Sequence, residues 1–148
     1  MRDESPCNAA AMRKASRRLT QLYDDALAPC GIRSTQFTIL AELDRRSNDP
    51  PGVSELAEVL VMDRSSLGHN LRPLERDKLI ALEDSDQDRR RRQVILTGRG
   101  RAKLLEARRL WQVAQDRFNN AFGPSKAMKL RMTLLHIARH PRLAKLTE

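Results

Sequence analysis

The stretch Asp63-Arg64-Ser65-Ser66-Leu67-Gly68-His69-Asn70-Leu71-Arg72-Pro73-Leu74-Glu75-Arg76 decides the fold. Leu67, Leu71 and Leu74 recur at helical spacing and share one face of a helix. Arg64, Ser65, Gly68, His69 and Arg72 fall on another face. Asp63 is the expected N-cap. Upstream, Ser54 is expected to cap a short helix through Leu56, Ala57, Val59 and Leu60, with a break at Met62-Asp63. Two short helices joined by so few residues read as a helix-turn-helix. Pro73 removes a backbone donor and crowds the carbonyl of His69, so the second helix is expected to bend or tighten there.

Downstream, Leu79-Ile80-Ala81-Leu82 and Gln93-Val94-Ile95-Leu96 flank a polar run from Glu83 to Arg92. Two apolar runs around a charged loop read as a β-hairpin, which makes the motif a winged helix. A helix over 8–28 is expected from Met12, Ala15, Leu19, Leu22, Tyr23, Ala26 and Leu27, stopped by Pro29 and Gly31. A second, Thr35 to Arg45, has Ser34 as its expected cap. Thr97 caps a long helix from Gly98 to Phe122, with Ala102, Leu105, Leu110, Val113, Ala114, Phe118 and Ala121 as its apolar positions. Gly123-Pro124 opens a last helix to about Arg139. The expected fold is mainly α with a small β-hairpin: a winged helix-turn-helix flanked by N- and C-terminal dimerisation helices. Residues 1–34 and 98–148 form the helical dimerisation region and 35–97 the winged helix, in one compact unit.

The chain has 148 residues and a net charge of +9, a length that suits one domain. Only five side chains are Phe, Tyr or Trp, so the core rests on aliphatic residues, and an oligomer interface is expected to supply further burial. No window approaches the ~18–20 apolar residues of a membrane span. Met1 to Cys7 lacks the apolar core of a secretory signal, so the expected location is the cytoplasm. Two cysteines make no disulfide framework, and His69, His136 and His140 show no metal-ligand spacing, so neither metal nor cofactor is expected. The basic excess calls for a polyanion: nucleic acid or an anionic membrane surface.

The placement of the arginines favours double-stranded DNA. Arg64, Ser65, Gly68, His69 and Arg72 offer guanidiniums, a hydroxyl and an imidazole to base edges, and Gly68 admits a close approach. At the hairpin tip, Asp86-Gln87-Asp88 precedes Arg89, Arg90, Arg91 and Arg92. Arginine-rich tips suit the narrow minor groove, and Asp88 is expected to hold one guanidinium in a bidentate pair. Ser54 suits a phosphate oxygen. No nucleophile–base pair, carboxylate pair or phosphate loop suggests an enzyme.

Val53-Ser54-Glu55-Leu56-Ala57, Met62-Asp63-Arg64-Ser65-Ser66-Leu67, Leu74-Glu75-Arg76-Asp77-Lys78-Leu79-Ile80, Asp88-Arg89-Arg90 and Leu96-Thr97-Gly98-Arg99-Gly100 together resemble the multiple antibiotic resistance regulator (MarR) family. The resemblance spans about residues 8–122. It implies an obligate homodimer that binds a pseudo-palindromic operator, usually as a repressor. It places Ser65, Ser66, His69 and Arg72 against bases, and Asp88 and Arg90 on the wing, with Arg90 in the minor groove. Gly68 and His69 stand where the family often carries Thr and Arg, and Asn70 where it often carries an apolar residue, so the operator sequence does not carry over.

The resemblance also implies release by a small aromatic or phenolic acid, whose binding residues the sequence does not identify. An alternative is a thiol-based redox sensor of the same fold. Cys7 stands near the start of the first helix, where the macrodipole favours a thiolate. Cys30, in the Pro29-Cys30-Gly31 turn, is expected to be exposed. A further alternative is non-specific, architectural DNA binding through the same arginines.

Overall fold

The computed structural model describes residues 6–88 and 90–144. The chain divides into two compact units, Met1–Trp111 and Gln112–Glu148. In chain order the elements are α1 (Asn8–Leu27), a single 3-10 turn (Ala28–Cys30), α2 (Ser34–Arg45), α3 (Val53–Val59), α4 (Arg64–Arg76), β1 (Ile80–Asp84), β2 (Arg92–Leu96), α5 (Gly98–Phe122), α6 (Pro124–Arg139) and α7 (Pro141–Ala144). Helices with one antiparallel hairpin, in helix-turn-helix-then-wing order, match the sequence reading. The turn α7 was not anticipated.

The first unit is built on an aliphatic core. Leu27, Ile39, Leu40, Leu43, Leu56, Leu67, Leu74, Ile80, Val94 and Leu104 are buried, drawn from both strands and every helix from α1 to α5. The expected Leu67, Leu71 and Leu74 face of α4 is buried in full. Pro73 lies inside α4 without ending it. Phe37 stacks on Trp111 with ring centroids 5.8 Å apart, and Tyr23 tilts against the same indole at 6.4 Å.

The long helix divides its apolar positions between core and surface. Leu104 and Ala107 carry its buried stripe, whereas Leu105 and Val113 are more than 60% exposed. α5 bears apolar residues on more than one face, and periodicity alone does not say which one meets the core.

Two expected caps move by one or two residues. α2 starts at Ser34 with Arg33 as its N-cap, because the Asp24 carboxylate in α1 accepts the Ser34 N–H at 2.7 Å and Gln36 Oε1 accepts the Arg33 N–H at 2.9 Å. α3 starts at Val53 after Gly52, so Ser54 is its second residue and not its cap. Here the chain stays extended against the wing until Gly52: the Val94 N–H donates to the Pro51 carbonyl at 2.9 Å, and Gly52 bridges Gln93. Asp63 does cap α4, accepting the Ser66 N–H at 2.7 Å. Cys30 is buried rather than exposed. Its thiol donates to the Leu27 carbonyl at 3.1 Å, inside the turn that Gly31 closes at φ +77°.

α3 and α4 end alike. Met62 N–H reaches back to Ala57 O and Leu79 N–H to Leu74 O, both at 2.9 Å, with the residue before each in the left-handed region: Val61 at φ +53° and Lys78 at φ +59°. Glycine is usual at such C-caps. A β-branched valine there carries strain of order 1–3 kcal/mol.

The wing pairs Ile80 with Leu96 through to Asp84 with Arg92. At its base, Thr97 joins three elements. Its N–H donates to Leu79 O at 3.1 Å. Its hydroxyl lies 2.7 Å from Lys78 O, and it accepts the Gly100 N–H at 2.9 Å. Gly100 sits so close to this corner that a Cβ would lie 2.0 Å from the Leu79 carbonyl oxygen.

In the second unit, Ala114 and Ala127 are buried and Phe118 packs on Phe122 at 4.9 Å. Much of its apolar surface is not buried: Met128, Met132, Leu134 and Leu135 on α6 all stand exposed.

The corner at Leu79 yields the first prediction. Gly100→Ala should destabilise the fold by about 1–3 kcal/mol or more, because the obstructing atom is a backbone carbonyl that cannot swing away. Urea unfolding measures it, and unchanged stability would show that the corner relaxes freely.

Candidate nucleic-acid interface

The N-terminal turn of α4 presents the polar face read from the sequence. Arg64, Ser65, Ser66, His69 and Arg72 are all exposed, while Gly68 is half-buried. A Cβ built at Gly68 meets nothing within 4 Å, so the surface above it is open to a close-fitting partner. Ser66 differs from the rest. Its hydroxyl donates to Asp63 Oδ2 at 2.7 Å while its N–H binds Oδ1. Its proton is already engaged by the helix cap, which leaves that oxygen as an acceptor for any partner. Asn70 turns inward along the helix and donates to the Ser66 carbonyl at 2.9 Å.

These contacts set the charge at the helix start. The Ser66 N–H and hydroxyl hold the Asp63 carboxyl below its ordinary range.

The wing tip is organised by its backbone. Ser85, buried within the hairpin, donates its N–H to Arg91 O at 2.9 Å, and its hydroxyl accepts from the Gln87 N–H at 3.3 Å. Asp88 accepts the Arg90 N–H at 2.9 Å, and its carbonyl accepts the Arg91 N–H at the same distance. Its carboxylate makes an Asx turn, because the Arg90 N–H two residues on is within reach without ordering a long side chain. Arg90 and Arg91 are exposed; Arg89 lies outside the described residues.

The structure brings the wing arginines to the helix-turn-helix. One cleft is lined by Arg64 from α4, Arg90, Arg91 and Arg92 from the wing, and Gly52 to Glu55 from the start of α3, Ser54 included. His69 and Arg72 lie further along α4 and do not line it.

Glu55 and Arg46 escaped the sequence reading. Glu55 accepts from Arg46 at 2.7 Å and from Arg91 at 3.1 Å, and Arg46 also holds Asp49 at 3.2 Å. The Arg46 side chain is only 14% exposed. In the sequence both look like ordinary helix-end charges that complement the macrodipole. Nothing local signals the 36-residue separation between Glu55 and Arg91. Cys7 stands apart as the exposed N-cap of α1. Among the described residues no helix is long and apolar enough to cross a membrane.

Residues 31–91 match the model of the MarR family. Among solved structures, the chain is 31% identical to the M. tuberculosis transcriptional regulator MosR in complex with DNA, with a TM-score of 0.80 over 95% of this chain and 99% of that one. It is 28% identical to the transcriptional repressor CouR bound to a 23-mer DNA duplex, with a TM-score of 0.81 over 90% and 93% of the two chains. It is 27% identical to CouR bound to p-coumaroyl-CoA, with a TM-score of 0.78 over the same shares. No curated protein matches the sequence.

The Asp63 cap gives a pH-dependent prediction. A carboxyl held low in the folded state stabilises it above the ordinary Asp pKa, and that contribution is lost as pH falls through the folded value. Asp63→Ala should therefore melt below the wild-type protein at neutral pH, with the gap closing in acid. A gap that persists unchanged into strong acid would show that the carboxylate is not its source.

Proposed function

The chain belongs to the MarR family, and from that premise we propose that it is a homodimeric, sequence-specific DNA-binding transcriptional regulator, acting as a repressor and carrying no enzymatic activity. The supporting observation is the arginine-lined cleft. Arg64, Arg91 and Arg92 converge there beside the exposed Ser54, suited to one stretch of phosphate backbone, with Arg90 at the wing side of the same cleft. With the backbone seated, Ser65, His69 and Arg72 reach base edges in the major groove, Gly68 permits the approach, and Ser66 contributes an acceptor. Arg90, with Arg89 beside it in sequence, enters the adjacent minor groove. A charge of +9 per chain, doubled in a dimer, accelerates encounter with DNA and makes binding salt-sensitive.

Dimerisation uses the helices outside residues 35–97. Met128, Met132, Leu134 and Leu135 stand exposed on α6, and covering the roughly half of each that remains open is worth about 1 kcal/mol apiece. The operator is then pseudo-palindromic, read by two α4 helices in successive major grooves. A small aromatic acid or its thioester releases the DNA by favouring a different separation of the two winged helices; CouR with p-coumaroyl-CoA supports that class of effector. A regulator of this kind works in the cytoplasm.

Exposure of Cys7 at a helix start keeps a thiol-triggered release as the second reading.

Footprinting on the DNA beside the protein's own coding region tests the proposal, repeated with aromatic acids and with oxidant. A bounded footprint is expected; protection without boundaries would favour architectural binding. Arg90→Ala should weaken operator binding by about 1–3 kcal/mol, and His69→Ala should relax base preference. Unchanged affinity in the first and unchanged selectivity in the second would count against these roles. Removing the chain after Phe122 should give monomers in sedimentation, and a truncated protein that remains dimeric would refute the use of α6.

A further inference from the structure

We propose that Glu55 is a positioning residue that competes with DNA phosphate for Arg91, and so suppresses binding to sequences that do not fit the rest of the interface. The proposal rests on the DNA-binding reading of the cleft and concerns how that cleft discriminates.

Glu55 is held in place from one side. One carboxylate oxygen lies 2.7 Å from the guanidinium of Arg46, whose side chain is mostly buried and is held in turn by Asp49. The other oxygen lies 3.1 Å from Arg91 at the wing. Gly52 leaves room for this wing arginine: a Cβ there would come 3.0 Å from Arg91 Nε. Of the residues that line the cleft, Glu55 is the single carboxylate, among Arg64, Arg90, Arg91 and Arg92. It thus places a fixed negative charge where the phosphate must come.

An approaching phosphate meets two opposing effects. Arg64, Arg90 and Arg92 attract it, while Glu55 repels it and already satisfies Arg91. To reach the phosphate, Arg91 must exchange one anionic partner for another. That exchange returns little free energy, since an ion pair is lost as an ion pair is formed. Arg91 therefore adds little to loose, sequence-independent association. It contributes once α4 and the wing tip are in register and hold the phosphate close enough to replace Glu55. Specificity of this kind comes from weakening the wrong complexes rather than strengthening the right one.

Glu55→Gln keeps the shape and an acceptor for Arg46 but removes the charge. Its affinity for a random-sequence duplex should rise several-fold. The slope of log affinity against log salt on that duplex should steepen by about 0.9, one further phosphate contact. On a duplex selected from a random pool by the wild-type protein the gain should be smaller, so the specific-to-nonspecific ratio falls. In an Arg91→Ala background the same substitution should produce no extra salt dependence. Thermal unfolding of each variant confirms that it is folded.

The proposal is overturned if Glu55→Gln leaves affinity and slope on random DNA unchanged. It is equally overturned if the extra salt dependence persists in the Arg91→Ala background, or if affinity rises equally on both duplexes. If the wild-type protein shows no salt-dependent binding to either duplex, it is the DNA-binding reading that fails, and this inference falls with it.

Discussion

The winged helix depends on one corner, where Leu79 meets Thr97 and Gly100. The Leu79 carbonyl accepts from the Thr97 N–H, the Thr97 hydroxyl lies beside the neighbouring Lys78 carbonyl, and the same hydroxyl receives the Gly100 N–H. Through these few atoms the exit of α4, the closing strand of the wing and the start of α5 are fixed to each other. The contact excludes any side chain at position 100, since its nearest atom is the carbonyl itself. Every separation that matters to a bound duplex is referred to this joint: recognition helix to wing, and wing to the long helix.

Polar groups around the cleft serve the protein before they serve a ligand. Ser66 gives its proton to the Asp63 cap, Asp88 gives its carboxylate to the Arg90 N–H, and Arg46 anchors Glu55 from behind. Each such group is thereby removed from direct recognition or limited to one role in it. The side chains left exposed without such duties on α4 include Arg64, Ser65, His69 and Arg72. They are the side chains that the proposed recognition would use, because folding does not engage them.

Much of this was legible in the sequence, and the exceptions share a cause. α4 was read from Leu67, Leu71 and Leu74, and its cap from Asp63, because periodicity and capping act within a few residues. Thr97 was legible for the same reason. The caps of α2 and α3 were misplaced because their starts are set by partners elsewhere: Asp24 holds Ser34, and the wing holds Pro51 and Gly52. Cys30 looked exposed in a Pro-Gly turn, yet the turn folds its thiol inward onto Leu27 O. Asp88 was singled out for its charge beside the arginines, and its hydrogen bond to the Arg90 N–H adds a turn that the charge pattern does not show. Glu55 and Arg46 left no local trace, because their pairing exists only once the wing has folded back on α3.

The Asp88 turn has a thermodynamic consequence. Fixing one backbone residue costs roughly 1–2 kcal/mol of conformational entropy. A tip that became ordered only on meeting its partner would lose that amount at each residue from the binding free energy. Here Ser85, Gln87, Asp88, Arg90 and Arg91 carry backbone hydrogen bonds within the hairpin itself. For these residues folding bears part of that cost, and their side chains are what a partner would still have to immobilise. To that extent the described part of the tip lowers the entropic cost of engaging a partner.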